Sequence, residues 1–243
     1  MRKRLLAVLL ALVMILAVTC GQAADRKFKP ESAWEARRQA LEVLQICAFS
    51  GEYQDEGRDM LLRWRDPIRV YAADEPSKND LKQLDAFLLE LALRVPELPS
   101  ITRVSSEAEA NLVIHYCKLS EMKNRIPGYV ENNWGMLTYS YHNNGEIFSA
   151  SIAIARDKTS QTARNHLMRE ELVGALGLTN NHELYTDSIR YGKWTTVQDL
   201  SEVDWLMLNM VYSPHVFAGW RWDQVSSALI AFYGLYAPEE QTP

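Results

Sequence analysis

Two carboxylates and two histidines stand at spacings that could bind a metal ion. Glu170 and Glu171 are adjacent in a predicted helix, and His166 lies four residues before Glu170. Side chains at positions i and i+4 of a helix lie one above the other, so His166 and Glu170 can reach one ion. His182 could complete a displaced zinc site, with Glu171 as the general base. The interpretation we favour is that both histidines are surface residues beside an acidic helix.

The sequence contains neither of two common catalytic or nucleotide-binding patterns. It has no G-x-S-x-G segment of a serine hydrolase and no GxGxxG segment of a dinucleotide-binding protein. Cys47 and Cys117 lie in no C-x-x-C pair, which argues against a zinc finger or a thioredoxin-type site. In an exported protein these two cysteines predict either a disulfide or two buried free thiols, and both alternatives stay open.

The first 23 residues have the composition of a secretory signal peptide. A basic start is followed by an apolar run over 5–18, which is short for a membrane span, and by the small residues Gly21 and Ala23. We expect cleavage before Ala24 and a periplasmic or secreted mature protein. The alternatives are a lipid anchor at Cys20 and an uncleaved anchor, and neither is favoured.

The mature chain is acidic, and its composition is that of a globular protein. Removing the three basic residues of the signal peptide takes the net charge from −5 to −8. This charge argues against nucleic acid and anionic lipid as partners. The chain is 47% hydrophobic and only 23% charged, which is typical of an ordered domain. We expect no membrane span after signal cleavage.

The hydrophobic pattern predicts alternating helices and strands. Helices are expected at 32–48, 80–95, 162–176, 200–212 and about 221–233, with Asp80 capping the second and a Ser201–Asp204 capping box on the fourth. Strands are expected at 68–72, 101–104, 110–117, 136–141 and 146–155. Asn143-Asn144-Gly145 predicts a tight hairpin turn, and the small or apolar residues of 146–155 predict a strand covered on both faces. This order indicates an α/β (α+β) fold with a mixed sheet.

The segment from Glu170 to Asn180 resembles a metzincin zinc helix that lacks its zinc ligands. The intact pattern is H-E-x-x-H-x-x-G-x-x-H, in which three histidines bind zinc and the glutamate polarises a water. On this pattern Glu171 takes the place of the general base and Gly177 that of the turn glycine. Glu170, Gly174 and Asn180 stand where the histidines belong. Glycine offers no ligand atom and asparagine is a poor zinc ligand, so the resemblance implies lost zinc catalysis.

Two further resemblances extend along the chain. Asp187-Ser188-Ile189-Arg190-Tyr191 resembles the metzincin Met-turn, with Arg190 in place of the methionine. Over about residues 43–219 the chain is similar to a family of secreted bacterial proteins, domain of unknown function 2927. The phrases that carry this similarity are Leu62-Arg63-Trp64, Pro67-Ile68-Arg69-Val70, Ala108-Glu109-Ala110-Asn111-Leu112, Glu170-Glu171 through Gly177-Leu178, and Asp187-Ser188-Ile189.

These resemblances imply a zincin-like architecture with an edge hairpin, a degenerate zinc helix and C-terminal helices. They divide the chain into a signal peptide (1–23), a lead-in and helix (24–42), a metzincin-like domain (43–219) and a C-terminal helix and tail (220–243). The remnant cleft would use Glu170, Glu171, Asn180 and Arg190 for binding. We also expect a Glu171–Arg190 contact in place of the metal centre, since a cation there could replace the zinc charge.

The function implied is that of a pseudoenzyme of the cell envelope. We expect it to bind a peptide or protein along the sheet edge without a cofactor. The alternative is a metal-dependent hydrolase of the peptidase type, with Glu171 as its base and zinc held by His166, Glu170 and His182. A structural protein of the envelope without any ligand is a third interpretation.

Overall fold

A computed structural model of the protein describes residues 26–49 and 60–236. The predicted signal peptide, including Cys20, lies outside the described residues. None of the helices in the described part has the length and apolar character that a membrane span needs.

Six strands form one mixed sheet. Their bounds are β1 Arg63–Trp64, β2 Ile68–Asp74, β3 Ile101–Arg103, β4 Leu112–Cys117, β5 Gly135–Tyr141 and β6 Glu146–Ala155. The order β1-β6-β4-β2-β3 is parallel throughout, and β5 pairs antiparallel with β6 on the side away from β4. The β5–β6 hairpin turns at Asn144-Gly145 as predicted, with Gly145 at φ +81°. The predicted edge hairpin therefore supplies one edge strand, β5, and one central strand, β6.

Within residues 26–49 and 60–236, five α-helices follow the predicted pattern closely. Their bounds are α1 Ala33–Phe49, α2 Lys78–Arg94, α3 Gln161–Ala175, α4 Glu202–Val211 and α5 Trp222–Tyr233, and two short 3₁₀ turns span Glu107–Glu109 and Leu119–Asn124. The helix caps match the predictions in part. The capping box of Ser201 and Asp204 on α4 is confirmed.

The prediction that Asp80 caps α2 is wrong. Ser77 is the cap, and Asp80 closes its box from the third helical position, because the helix begins two residues earlier.

The main core lies between the helices and one face of the sheet. Neighbouring strands align Val70 with Leu112 and Leu112 with Ala150, and these side chains belong to one core cluster with buried residues of the five described helices. The other face carries a small cluster of Cys117, Met122, Ile126, Ala153 and Ala155. The prediction that β6 is covered on both faces therefore holds only for its second half, because the 3₁₀ segment reaches only that half.

Cys47 and Cys117 are buried thiols that are not joined in a disulfide. Cys47 lies on α1 in the main core, whereas Cys117 ends β4 in the small cluster on the other face of the sheet. Because the sheet separates them, the structure has the second of the two predicted alternatives, a pair of buried thiols.

Helix α1 packs into the same core as the C-terminal helices. Its buried face, with Ala40, Val43 and Leu44, contacts α4 and α5. At the other end of the chain, the carbonyl oxygen of Gly234 accepts a hydrogen bond from the Trp34 indole at 3.2 Å. The predicted boundary between residues 42 and 43 falls inside this helix.

Candidate functional site

Helix α3 lies against the edge strand, and Glu171 lies at their contact. The helix begins at Ser160, whose hydroxyl accepts from the Ala163 amide at 3.2 Å. At the start of β5, a Cβ on Gly135 would be 2.8 Å from Glu171 Oε1 and 2.8 Å from Leu167 Cδ2. The absence of a side chain at Gly135 therefore lets the Glu171 carboxylate lie over the first residue of β5.

The buried His166 and the partly buried Glu170 form a pair one helical turn apart. His166 Nε2 lies 3.3 Å from Glu170 Oε2, and His166 Nδ1 lies 2.8 Å from the carbonyl oxygen of Val197. Both ring nitrogens thus face acceptor oxygens. The preferred interpretation of His166 as a surface residue is wrong, because the loop carrying Trp194 and Val197 covers it and leaves it 3% exposed.

His182 is also buried, but it faces a different set of partners. Its Nδ1 accepts from the Leu184 amide at 3.1 Å, so Nε2 carries the proton and donates to Ser188 Oγ at 3.0 Å. Burial, with a contribution from the charge of Arg190, lowers the pKa of His182 to about 4. The imidazole is therefore neutral at pH 7, and its interpretation as a surface residue is also wrong.

The chain of hydrogen bonds continues from Ser188 into a buried carboxylate. Ser188 Oγ donates to Asp204 Oδ1 at 2.6 Å, while Asp204 Oδ2 accepts from the Ile189 amide and from the amide and hydroxyl of Ser201. Burial raises the pKa of Asp204, and these hydrogen bonds oppose that effect. The sequence identified Asp204 as a capping residue only. The structure adds that it fixes the Met-turn-like segment to α4.

The residues present do not fit a catalytic zinc site. Within 26–49 and 60–236, no three His, Cys, Asp or Glu side chains are grouped so that they could hold a metal ion. His166 and Glu170 do come together as their spacing predicted. The third predicted ligand, His182, donates instead to Ser188.

Two side chains occupy the space beside Gly174, where the resemblance puts a second ligand. A Cβ on Gly174 would lie 2.5 Å from Leu137 Cδ2 and 3.5 Å from Arg190 Nη1. The buried Arg190 guanidinium donates from Nη1 to the Glu170 carbonyl at 3.0 Å and from Nε to the Asn180 carbonyl at 3.3 Å. Arg190 is thus bound to backbone oxygens of α3 and its following loop. The Glu171–Arg190 contact stays a prediction.

Asn180, at the position of the third ligand, holds the loop after α3 against α1. Its side-chain Nδ2 donates to the Ile46 carbonyl at 3.2 Å, and its backbone amide donates to the Cys47 carbonyl at 3.0 Å. Gly177, the predicted turn glycine, has φ +112°, and a Cβ there would meet Leu62 O at 2.4 Å. The chain therefore turns at Gly177, and beyond it the Asn180 amide binds the backbone of α1.

Sequence reasoning missed two tryptophans beside this site. Trp134 directly precedes β5 and Trp194 lies in the loop over α3. Their rings meet edge to face at 5.5 Å, and the Trp194 ring lies 5.9 Å from that of His166. They are 39% and 57% exposed. Both stand in irregular segments, where hydrophobic periodicity gives no signal.

The outer side of β5 forms the remaining wall of the site. The Trp134 carbonyl accepts from the Ala155 amide at 2.8 Å. Because bonded pairs alternate in antiparallel strands, the backbone groups of Gly135 and Leu137 point away from β6. In the part of the chain that the structure describes, no other strand pairs with β5 on that side.

Comparison with known proteins gives a family without an assigned activity. The sequence profile of the family described as "Protein of unknown function (DUF2927)" matches residues 43–231, well over half of the chain. No curated protein matches the sequence.

Proposed function

We propose that this chain, which belongs to the DUF2927 family, is a non-catalytic protein that binds an extended polypeptide along the outer edge of β5. The observation that carries the proposal is the orientation of the Gly135 and Leu137 backbone away from β6. An extended segment added there gains main-chain hydrogen bonds, and the neighbouring side chains give specificity.

The filling of the ligand positions supports the non-catalytic part of the proposal. Leu137 and Arg190 occupy the space beside Gly174, and the amide of Asn180 is bound to the backbone of α1. A zincin-like scaffold that has lost its zinc accounts for these observations together with the retained turn at Gly177. The predicted signal peptide supports a place of action in the cell envelope.

Peptide selection followed by hydrogen exchange tests the proposal. Random twelve-residue peptides displayed on phage are selected on the purified chain of residues 24–243, and the enriched peptides are synthesised. We expect a bound peptide to slow amide exchange at 135–139. A matched peptide with alternate backbone nitrogens methylated should not bind, because it cannot donate to the strand edge. Failure to enrich any peptide, or protection confined to another surface, would overturn the proposal.

Metal analysis tests the alternative of a metal-dependent hydrolase with Glu171 as base. The chain is purified without chelator beside the His166→Ala, Glu170→Ala double variant. Under our proposal neither protein carries stoichiometric zinc. Stoichiometric zinc in the parent that disappears in the variant would contradict the non-catalytic proposal and favour the hydrolase.

A further inference from the structure

The strongest feature left over beside the proposed edge is the pair Trp134 and Trp194. They are the two most exposed tryptophans of the chain. Their rings contact each other, and the Trp194 ring also contacts that of His166. Exposed apolar rings of this size lose the stabilisation that burial would give. Tryptophan is also enriched among the residues that contribute most to binding. Their position therefore indicates contact with the polypeptide proposed to bind along β5.

Two carboxylates of α3 lie close to the direct neighbours of these tryptophans. Glu171 Oε1 approaches Gly135, the residue after Trp134, and the Glu170 carboxylate lies against His166, whose ring contacts Trp194. A guanidinium group can stack on an indole face while its N–H groups bind a carboxylate. A carboxylate has about four acceptor positions, so Glu171 can bind such a group besides its partners within the protein.

We propose that Trp134, Trp194 and Glu171 form a subsite for a basic side chain, arginine in preference to lysine, of the polypeptide on β5. This inference rests on the proposed function. Other cationic groups lie on neighbouring residues. The Arg190 guanidinium donates to the Glu170 carbonyl, and Lys193, which directly precedes Trp194, places its ammonium 6.0 Å from the centre of the Tyr191 ring. Lys193 opposes a basic ligand, so its removal strengthens binding.

The test replaces one residue of a selected peptide. The peptide is made with arginine, lysine, citrulline or alanine at the position that cross-linking assigns to Trp194. Citrulline keeps the shape of arginine and removes its charge. We expect the arginine peptide to bind at least tenfold more tightly than the citrulline peptide by fluorescence anisotropy, with lysine between them and a preference that shrinks as salt is added. Equal affinities would overturn the inference and leave the strand-addition proposal standing. If no peptide binds at all, both the subsite inference and the strand-addition proposal are contradicted.

Matched variants identify the residues responsible. Trp194→Ala should weaken the arginine peptide at least tenfold and leave the citrulline peptide nearly unchanged, and Glu171→Gln should reduce the same preference. Lys193→Ala should tighten the arginine peptide. The control is Phe232→Ala, which removes another exposed ring, 51% exposed, on α5. An equal loss in the Phe232 and Trp194 variants would contradict the subsite.

Discussion

Gly174 illustrates how a single missing side chain determines what the site can do. The residue lies on the face of α3 towards β5, where Leu137 Cδ2 would be 2.5 Å from any Cβ. A ligand side chain at this position would therefore have to displace Leu137. The missing side chain at Gly174 thus has two consequences. It lets Leu137 of the edge strand pack closely on α3, and it leaves this position without a ligand.

A double-mutant cycle at Gly174 and Leu137 tests this contact. Gly174→Ala alone should destabilise the protein by about 1 kcal/mol, because overpacking costs about 1–3 kcal/mol while alanine gains about 1 kcal/mol over glycine in a helix. In a Leu137→Ala background the clash is gone, so the same change should stabilise by about 1 kcal/mol. Urea unfolding of the four proteins measures both effects. If Gly174→Ala has the same effect in both backgrounds, the two residues do not compete for space.

The buried His182 predicts a specific pH dependence of stability. In the folded protein its pKa is lowered to about 4 from the usual 6.5. Between these values the unfolded chain binds a proton that the folded chain does not, so stability falls as the pH drops through 6.5 and levels off below about 4. The total effect is roughly 3 kcal/mol for such a shift.

His182→Gln isolates this contribution, because glutamine keeps a donor for Ser188 and does not titrate. The free energy of unfolding of the variant, measured in urea from pH 4 to 7, should rise less with pH than that of the parent. Asp204, whose raised pKa acts in the opposite direction, keeps its hydrogen bonds from Ile189 and Ser201 in both proteins. Parallel pH curves would show that His182 is not held neutral.

At the scale of elements, the Ser77–Asp80 capping box also joins two helices. Asp80 closes the box at the start of α2, and its Oδ1 accepts from Gln161 Nε2 at 2.7 Å and from Arg164 Nε at 3.2 Å, both on α3. Burial raises the pKa of Asp80, but hydrogen bonds from Ser77, Gln161 and Arg164 outweigh it, so the pKa is lowered overall. One carboxylate thus fixes the start of α2 and its contact with α3.

Asp80→Asn should remove part of the acid sensitivity of the fold. With its pKa lowered on folding, Asp80 contributes stability that is fully present above about pH 4 and is lost as the pH falls through the folded value. At pH 7 the variant should be less stable by roughly 1–3 kcal/mol, because a buried charged acceptor is lost from its hydrogen-bond donors. Below pH 4 the difference from the parent should shrink. A constant difference at every pH would contradict this role. Ser77→Ala, which removes the cap hydroxyl and keeps the carboxylate, is the control.

The sequence predicted the helices and strands better than the burial of individual side chains, for physical reasons. Helices and the hairpin have caps, periodicity and an Asn-Gly turn, all local signals, so most predicted bounds lie within two residues of those observed. The burial of His166 and His182 depends on loops that fold back from later in the chain, which no local pattern records. The turn at Gly177 and the Ser201–Asp204 capping box were predictable because backbone φ angles and helix caps depend on residues close together in the sequence. The filling of the Gly174 position by Leu137 and Arg190 was not, since it joins three separate segments.

At the scale of the whole molecule, the family match and the folded unit begin at different places. The match covers residues 43–231, whereas the buried residues of α1 begin at Ala36. Before α1, the buried Phe28 packs edge to face on Tyr185 at 5.0 Å, and its amide donates to Asp187 Oδ1 at 2.9 Å. The segment before residue 43 therefore holds the loop that carries the Met-turn-like sequence.

A chain beginning at residue 43 should consequently fold poorly, although it contains the whole family match. It lacks the apolar contacts of Phe28 and Leu41, each worth about 1.5–3 kcal/mol when buried, and the first half of α1 that packs on α4 and α5. The combined loss is comparable with the roughly 5–15 kcal/mol that stabilises a domain.

Thermal unfolding followed by circular dichroism should give a cooperative transition for a chain starting at residue 26. For the chain starting at 43, the transition should occur at a much lower temperature or be absent. Leu41→Ala in the longer chain, expected to cost about 2–5 kcal/mol, separates lost packing from any effect of a new terminus. If the two chains melt at the same temperature, the first half of α1 does not belong to the folded unit.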